Sequence, residues 1–295
     1  GAPARGAAVP PEPPFLWFSA TKVVTATAVM QLGERGLLDL DRPVREILPS
    51  FEVDNPHGGE VTVQHLLGHT AGLANPIPVT WIHLATEPGP GLDEMTGRLL
   101  AQNRRLEFRP GSRFAYSNLG YLVLGQVVER VSGERYDAYV KRHVLDVLGC
   151  TRSGFGPPGG EEATGHTRRW SLMWLAGWFL VDDRFFGASA GGFTAFRPFR
   201  VDGAPYGGLV GTAPDLARFL AAHLGGGALE GRRILSEASA GAMRAPQRDL
   251  EGRPLPMGLG WRLGEIGGEP FAYHHGGGAG FKSELRIYPG LGAGV

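Results

Sequence analysis

The sequence predicts an α/β (α+β) chain, on three observations. Apolar residues recur at helical spacing through the first half and again near 212–224, while alternating or clustered strand-type runs gather toward the C-terminus. No βαβ alternation runs through the chain. Its 295 residues carry ample apolar material for one large domain or two small ones.

Taken in order, the opening GAPARGAAVPPEPP is proline-rich and lacks a cationic-then-apolar pattern, so it reads as a flexible arm or a cut edge, not a signal peptide. Residues 20–36 lack proline, and glycine until Gly33, with Val23, Ala26, Met30 and Leu37 at helical spacing and Gly36 as a stop. LDLDRPVREILPSF follows as loop and short helix. Thr62 is placed to cap a short helix VQHLLGH that ends in a TAG turn. Leu92–Asn103 is amphipathic, and Pro110-Gly111 marks a turn. Two helices are expected over Asn118–Val131 and Tyr136–Leu148, parted by Ser132-Gly133. Residues 151–207 are rich in Gly, Phe and Trp without clear period, as a loop-heavy insertion would be. TAPD then opens a helix over Thr212–Leu224. Gly260–Leu263 and Phe281–Tyr288 read as strands joined by HHGGGAG, and SELRIYPGLGAGV breaks off like an interrupted hairpin.

Acidic and basic residues cancel at 29 each, which gives no charge argument for a nucleic-acid partner. Cys150 is the single cysteine; it rules out an internal disulfide framework and follows an apolar run, where a buried structural thiol is expected. No apolar run reaches about 18 residues, so no transmembrane helix is expected. The longest, SLMWLAGWFLV at 171–181, reads as a core or lid segment, with an acyl-chain pocket or interfacial patch as its functional alternative.

Three short stretches carry chemistry. In FSATKVV, Ser19 stands three residues before Lys22, one of only three lysines. On a helix, positions i and i+3 share a face, so an amine can reach the hydroxyl. The positive end of the macrodipole favours a developing alkoxide and disfavours a protonated lysine, so Lys22 can act as a general base. Eleven serines and three lysines predict about 0.1 such pairs by chance, against a bland reading of a surface Lys beside a capping Ser. Tyr116-Ser117-Asn118, before an apolar helix, offers a phenol that can shuttle a proton and an amide that can hold both a lysine and a carbonyl. Alone it is weak, since a tyrosine at a helix start is usually packing. The third stretch, YHHGGGAGFKSELRIYP, reads as a glycine-rich turn against a strand, where backbone N–H groups can meet an oxyanion. His-x-Gly is weaker still and fits His57, His223, His274 and His275.

In this order the three stretches resemble the serine β-lactamase and penicillin-binding-protein superfamily, nearest its branch of class C-like esterases and DD-peptidases. The supporting phrases are FSATKVVTATAVMQLGERGLLDLDRPV, VTVQHLLGHTAGL, RPGSRFAYSNLGYLVLGQVVE, YGGLVGTAPDLARFL and HHGGGAGFKSELRIYP, together spanning most of the chain. The resemblance implies one β-lactamase/transpeptidase-like catalytic domain over 1–295. That fold has an antiparallel sheet flanked by helices and a mostly helical subdomain over about 40–200, with the aromatic insert at 151–207. It implies that Ser19 is acylated, that Lys22 is its base and Tyr116 the proton shuttle, and that Asn118 orients Lys22 and substrate. His274 would begin the third motif with His275 in its middle, Gly276 next, and the amides of Ser19 and Gly277 as the oxyanion hole. The substrate would be a small-molecule ester, peptide or β-lactam, with no metal or organic cofactor implied. His stands where most β-lactamases have Lys, which shifts the expectation toward an esterase or D-amino-acid peptidase. Only a Pro-rich stretch precedes Ser19 and the chain stops at Val295, so the usual five-stranded sheet is expected to be truncated. Trp170, Trp174 and Trp178 of the insert are expected to wall the site.

Rival readings are weaker. Gly187-Ala-Ser189-Ala-Gly191 matches a nucleophile elbow, but the following GFTAFRPF has no helical period. His65 and His69 have the i, i+4 spacing of zinc ligands but no intervening Glu and no third ligand. An inert binding or scaffold module of the same fold would be expected to lose Ser19, Lys22 or Tyr116, and all three are present.

Overall fold

The computed structural model describes residues 13–156, 162–171 and 180–295. Strand β1 (Phe15–Leu16) pairs antiparallel with β7 (Val210–Gly211). A 3-10 turn over Phe18–Ala20 then delivers the chain into helix α1 (Thr21–Glu34). The sequence spacing suggested one apolar face, but every residue from Thr21 to Leu32 is buried. Helices α5 (Asn118–Ser132), α6 (Tyr136–Val140) and α7 (Ala204–Gly207) pack around α1. Its polar side chains tolerate this because most of their polar atoms are hydrogen-bonded. The Thr25 hydroxyl bonds the Tyr136 phenol at 2.7 Å and the Pro205 carbonyl at 2.6 Å, and Gln31 donates to the His143 and Ile234 carbonyls.

Between α1 and α5 lie α2 (Val44–Ile47), α3 (Val63–Leu67), β2 (Ile82–Leu84) and α4 (Leu92–Gln102). Thr62 caps α3 as expected: its hydroxyl accepts from the His65 amide while the His65 ring accepts from the Thr62 amide. The helix expected over Tyr136–Leu148 is regular only to Val140 and then widens into a π-type turn at Lys141–Leu145. Beyond it, among the described residues, β3 (His166–Arg168), β4 (Phe186–Ala190) and β5 (Phe193–Phe196) form an antiparallel sheet, with a 3-10 turn at Asp183–Phe185 before β4, and β6 (Phe199–Val201) pairs with β2. These strands run three to five residues, too short for a period of two to stand out.

Thr212 opens α8 (Ala213–Leu224) as its TAPD signal suggested, its hydroxyl accepting from the Asp215 amide at 3.2 Å. A hairpin of β8 (Ala228–Leu229) and β9 (Arg232–Arg233) and helix α9 (Glu237–Met243) lead to the main sheet. That sheet is antiparallel in the order β10 (Arg262–Ile266), β11 (Glu269–Gly278), β12 (Phe281–Tyr288), β13 (Ala293–Gly294). Among the described residues this sheet has four strands. HHGGG, expected as a connecting turn, is the second half of β11 itself, and the reversal falls at Ala279-Gly280, with Gly280 at φ 79°. Glycines can extend a strand when a neighbouring backbone comes too close for side chains. Among the described residues no helix is long and apolar enough to cross a membrane.

Candidate active site

The start of α1, the start of α5 and the second half of β11 converge. Phe18 adopts φ 48°, unusual for a residue with a side chain, and thereby lifts the next residue, Ser19, out of the helix line while leaving it partly exposed. Room for that conformation comes from β11: a Cβ at Gly278 would lie 2.1 Å from the Phe18 ring.

Lys22 is fully buried and bonds three groups. Its Nζ lies 2.8 Å from Asn118 Oδ1, 2.7 Å from the Tyr206 carbonyl and 3.2 Å from Ser19 Oγ. The first two partners can only accept. A neutral amine has two N–H groups and one lone pair, so with both hydrogens given to these carbonyls the lone pair faces the Ser19 hydroxyl. Burial, and secondarily the Arg262 cation, hold the Lys22 pKa well below the usual lysine value. The faces of Tyr116, Tyr121 and Tyr206 lie 4.9, 5.5 and 5.2 Å from Nζ.

α5 begins here because Ser117 caps it, its hydroxyl accepting from the Gly120 amide and donating to the Ala74 carbonyl. Asn118 is held by its own N–H, which donates to Asn75 Oδ1 at 3.0 Å. Tyr116 stands just before the cap. Burial pushes its phenol up to about 12, opposed by the nearby Ser19 hydroxyl and by Arg262. It is thus a protonated phenol beside the serine, able to give a proton and take one back.

Strand alternation separates the two histidines on β11. His274 faces inward at 2% exposure, its ring 6.3 Å from that of Tyr116. Its Nδ1 donates to the His275 carbonyl at 2.8 Å, leaving Nε2 a buried acceptor with no partner. Burial, then Lys22, lower its pKa to about 3, so the ring is neutral. His275 points outward, its side chain 56% exposed with Glu284 at 3.6 Å, and is not brought to the site. Gly276 lets β11 touch the serine turn, since a Cβ there would lie 2.0 Å from the Trp17 carbonyl oxygen. Gly277 is exposed opposite Lys282 with open space above its Cα.

Four contributors were not named from sequence. Tyr206 supplies a carbonyl to Lys22 and Tyr121 a ring, its own hydroxyl donating to the Leu67 carbonyl. His69, weighed from sequence as a zinc ligand, lies against Tyr116. Arg262, on β10, places its guanidinium 5.3 Å from the Tyr116 ring centre and 5.7 Å from that of Phe114. Among the described residues it has no carboxylate at ion-pair distance. YGG was a visible motif for Tyr206; Arg262, one of many arginines, had no local signal.

The rival sites dissolve. Ser189 lies on β4 in a hairpin, hydrogen-bonded to Thr194 at 3.0 Å, with no helix following. His65 is spent on its cap, and among the described residues no three His, Cys, Asp or Glu gather for a metal. Cys150 is buried, and burial followed by Asp215 pushes its thiol up to about 12. Trp170 is 72% exposed, while Trp174, Trp178 and most of 171–181 lie outside the described residues.

Comparison with known proteins gives the family and the fold. A family model described as Beta-lactamase matches residues 2–295. Penicillin-binding protein 4 of Amycolatopsis lactamdurans is 31% identical over 306 residues, covering 97% of this chain and 72% of that relative. The octameric penicillin-binding protein homologue from Pyrococcus abyssi superposes with a TM-score of 0.72 at 26% identity, over 96% of this chain and 61% of that one. D-amino acid amidase from Ochrobactrum anthropi SV3, complexed with D-phenylalanine, gives a TM-score of 0.74 over 97% of this chain and 77% of its own. At 23% identity that likeness shows the fold alone.

Proposed function

The chain belongs to the β-lactamase family of serine hydrolases, and we propose that it works through an acyl-enzyme on Ser19, with an ester or amide carbonyl as acyl donor. The observation that carries this is the hydrogen-bond count at Lys22: two carbonyl acceptors and the Ser19 hydroxyl around a buried amine. Neutral Lys22 takes the seryl proton as Oγ attacks the carbonyl carbon. Tyr116 carries the proton to the leaving oxygen or nitrogen, and water later repeats the sequence to free the acid and restore Ser19. Asn118 holds Lys22 through Oδ1 and offers its amide hydrogens to the substrate. The amides of Ser19 and Gly277 receive the oxyanion, which the close approach of β11 to the serine turn permits. His274 begins the third motif and faces Tyr116, while Gly276 supplies the close approach.

Within this class, Arg262 favours donors that carry a carboxylate. It is a cation beside Tyr116 with no acidic partner among the described residues, in a site whose other titratable groups are Lys22, His69, His274 and tyrosines. A D-amino-acid peptide offers such a carboxylate and a simple carboxylester does not. Penicillin acylation is the second reading, because a penicillin presents both a strained amide and a carboxylate, and the relative from Amycolatopsis is named for it.

The test compares a D-Ala-D-Ala peptide, benzylpenicillin and p-nitrophenyl butyrate on the wild type and on Arg262→Gln. Loss of a charge pair at a partly buried site predicts a fall of about 30-fold or more in kcat/KM for the first two, with the ester changed by less than about 3-fold. Equal losses on all three would remove Arg262 from recognition and return the weight to carboxylesters.

A further inference from the structure

His69 takes no step in the chemistry above, and the structure shapes it around one that does. It is 2% exposed and adopts φ 55°, a conformation that histidine tolerates better than most residues with side chains. Its carbonyl accepts from the Ala115 amide at 2.8 Å, and its Nδ1 accepts from the Ser117 amide at 3.1 Å. The residues on both sides of Tyr116 are thus tied to the same histidine. Between these bonds the centre of the His69 ring lies 4.4 Å from that of Tyr116, 4.9 Å from that of Tyr121 and 6.0 Å from that of Phe114, whose ring stands nearly perpendicular to it.

The amide bond also settles the tautomer. A backbone N–H can only donate, so Nδ1 must be bare and the hydrogen sits on Nε2, which has no partner in the structure. A proton on Nδ1 would break the bond to Ser117. Burial, with Lys22, His274 and Arg262 nearby, lowers the His69 pKa well below the usual value, which keeps the ring in the neutral form the clamp requires.

We propose that His69 is a positioning residue for proton transfer through Tyr116, holding the phenol beside Ser19 and Lys22 by clamping the backbone on either side of it and supporting its ring. This rests on the reading that Ser19, Lys22 and Tyr116 perform the acyl transfer. A side chain that only filled the core would make no distinction between leaving groups; one that aims a proton donor would. An ethoxide must be protonated as it departs, whereas p-nitrophenolate leaves without help.

The experiment uses His69→Asn, since asparagine tolerates the positive φ and can still accept from the Ser117 amide, and His69→Phe, which keeps a ring and loses the acceptor. Turnover of the ethyl and p-nitrophenyl esters of N-acetyl-D-alanine is measured in both, in Tyr116→Phe and in the His69→Asn/Tyr116→Phe double variant. His69→Asn should lower kcat/KM, which reports acylation, about 10- to 100-fold for the ethyl ester and less than about 3-fold for the p-nitrophenyl ester, since the two share one acyl-enzyme and differ only in the group that leaves as it forms. In the Tyr116→Phe background its further effect should be under about 2-fold. Equal losses on both esters, or the same loss with and without the phenol, would overturn the proposal. A second readout does not need turnover: the ring-carbon NMR signal of Tyr116 in 13C-tyrosine protein, assigned by its loss in Tyr116→Phe, should move in both His69 variants. A wild type that turns over neither ester nor a D-Ala-D-Ala peptide and takes no acyl group from benzylpenicillin defeats the acyl-transfer reading, and an unmoved Tyr116 signal defeats the role given to His69.

Discussion

Side chains hold one half of the proposed active site and backbone holds the other. Ser19, Lys22, Tyr116 and Asn118 sit at the starts of two packed helices, α1 and α5, and Lys22 ties them together at 2.8 and 3.2 Å. Across the cleft, β11 brings one inward histidine and a run of glycines whose lack of side chains lets the strand lie against Trp17 and Phe18. The helix-borne half depends on which atoms are present, since removing a donor or acceptor changes the proton chemistry. The strand-borne half depends on what is absent, because its contribution is a close approach of main chain. Substitutions should therefore fail differently on the two sides, in rate on the first and in assembly on the second.

The largest effect is expected at Lys22. Lys22→Met keeps the bulk of the side chain in its buried slot and removes the base, so the acylation rate should fall by about 10³-fold or more, while the Asn118 and Tyr206 acceptors it orphans lower stability by about 1–3 kcal/mol. The wild-type pH profile follows from the same group. The neutral amine is the reactive form, so the rate rises with pH as Lys22 loses its proton, and burial places that rise below the ordinary lysine range. A rise at the ordinary lysine value would contradict the desolvated base.

Next comes Gly276→Ala on the strand side. Its added Cβ would meet the Trp17 carbonyl oxygen at 2.0 Å and Ser283 Oγ at 2.2 Å, and main chain cannot step aside as a side-chain end can. A loss of about 3 kcal/mol, read by denaturant unfolding, is expected. Unchanged stability would mean that β11 does not press on the serine turn.

The smallest pair of effects separates adjacent residues. His274→Ala, inward and beside Tyr116, should lower kcat about 10-fold, whereas His275→Ala, outward beside Glu284, should stay within about 2-fold. The reverse order would shift the third motif by one residue.

Legibility in the sequence divides along the same line. Ser19-x-x-Lys22 was readable because a helical turn sets i and i+3 on one face, and Tyr116-x-Asn118 only through the family likeness, since Tyr116 stands before the Ser117 cap and off the helix. The caps at Thr62, Ser117 and Thr212 explain why those helices begin where they do, although Ser117 was noticed only as the middle of a motif. HHGGG was read as a turn because glycine clusters usually break elements; nothing local reveals that Trp17, some 260 residues earlier, needs the room. Arg262 and His69 act through long-range placement, and no spacing announces either. The short strands between 166 and 201 were hidden for a different reason, being only three to five residues long, with β6 and β3 paired to segments distant in sequence.

The most direct test of the central claim is intact-mass analysis after exposure to a fluorophosphonate, on the wild type and on Ser19→Ala. The account predicts one adduct on the wild type and none on Ser19→Ala. An adduct of equal mass on Ser19→Ala would place the nucleophile elsewhere and contradict it.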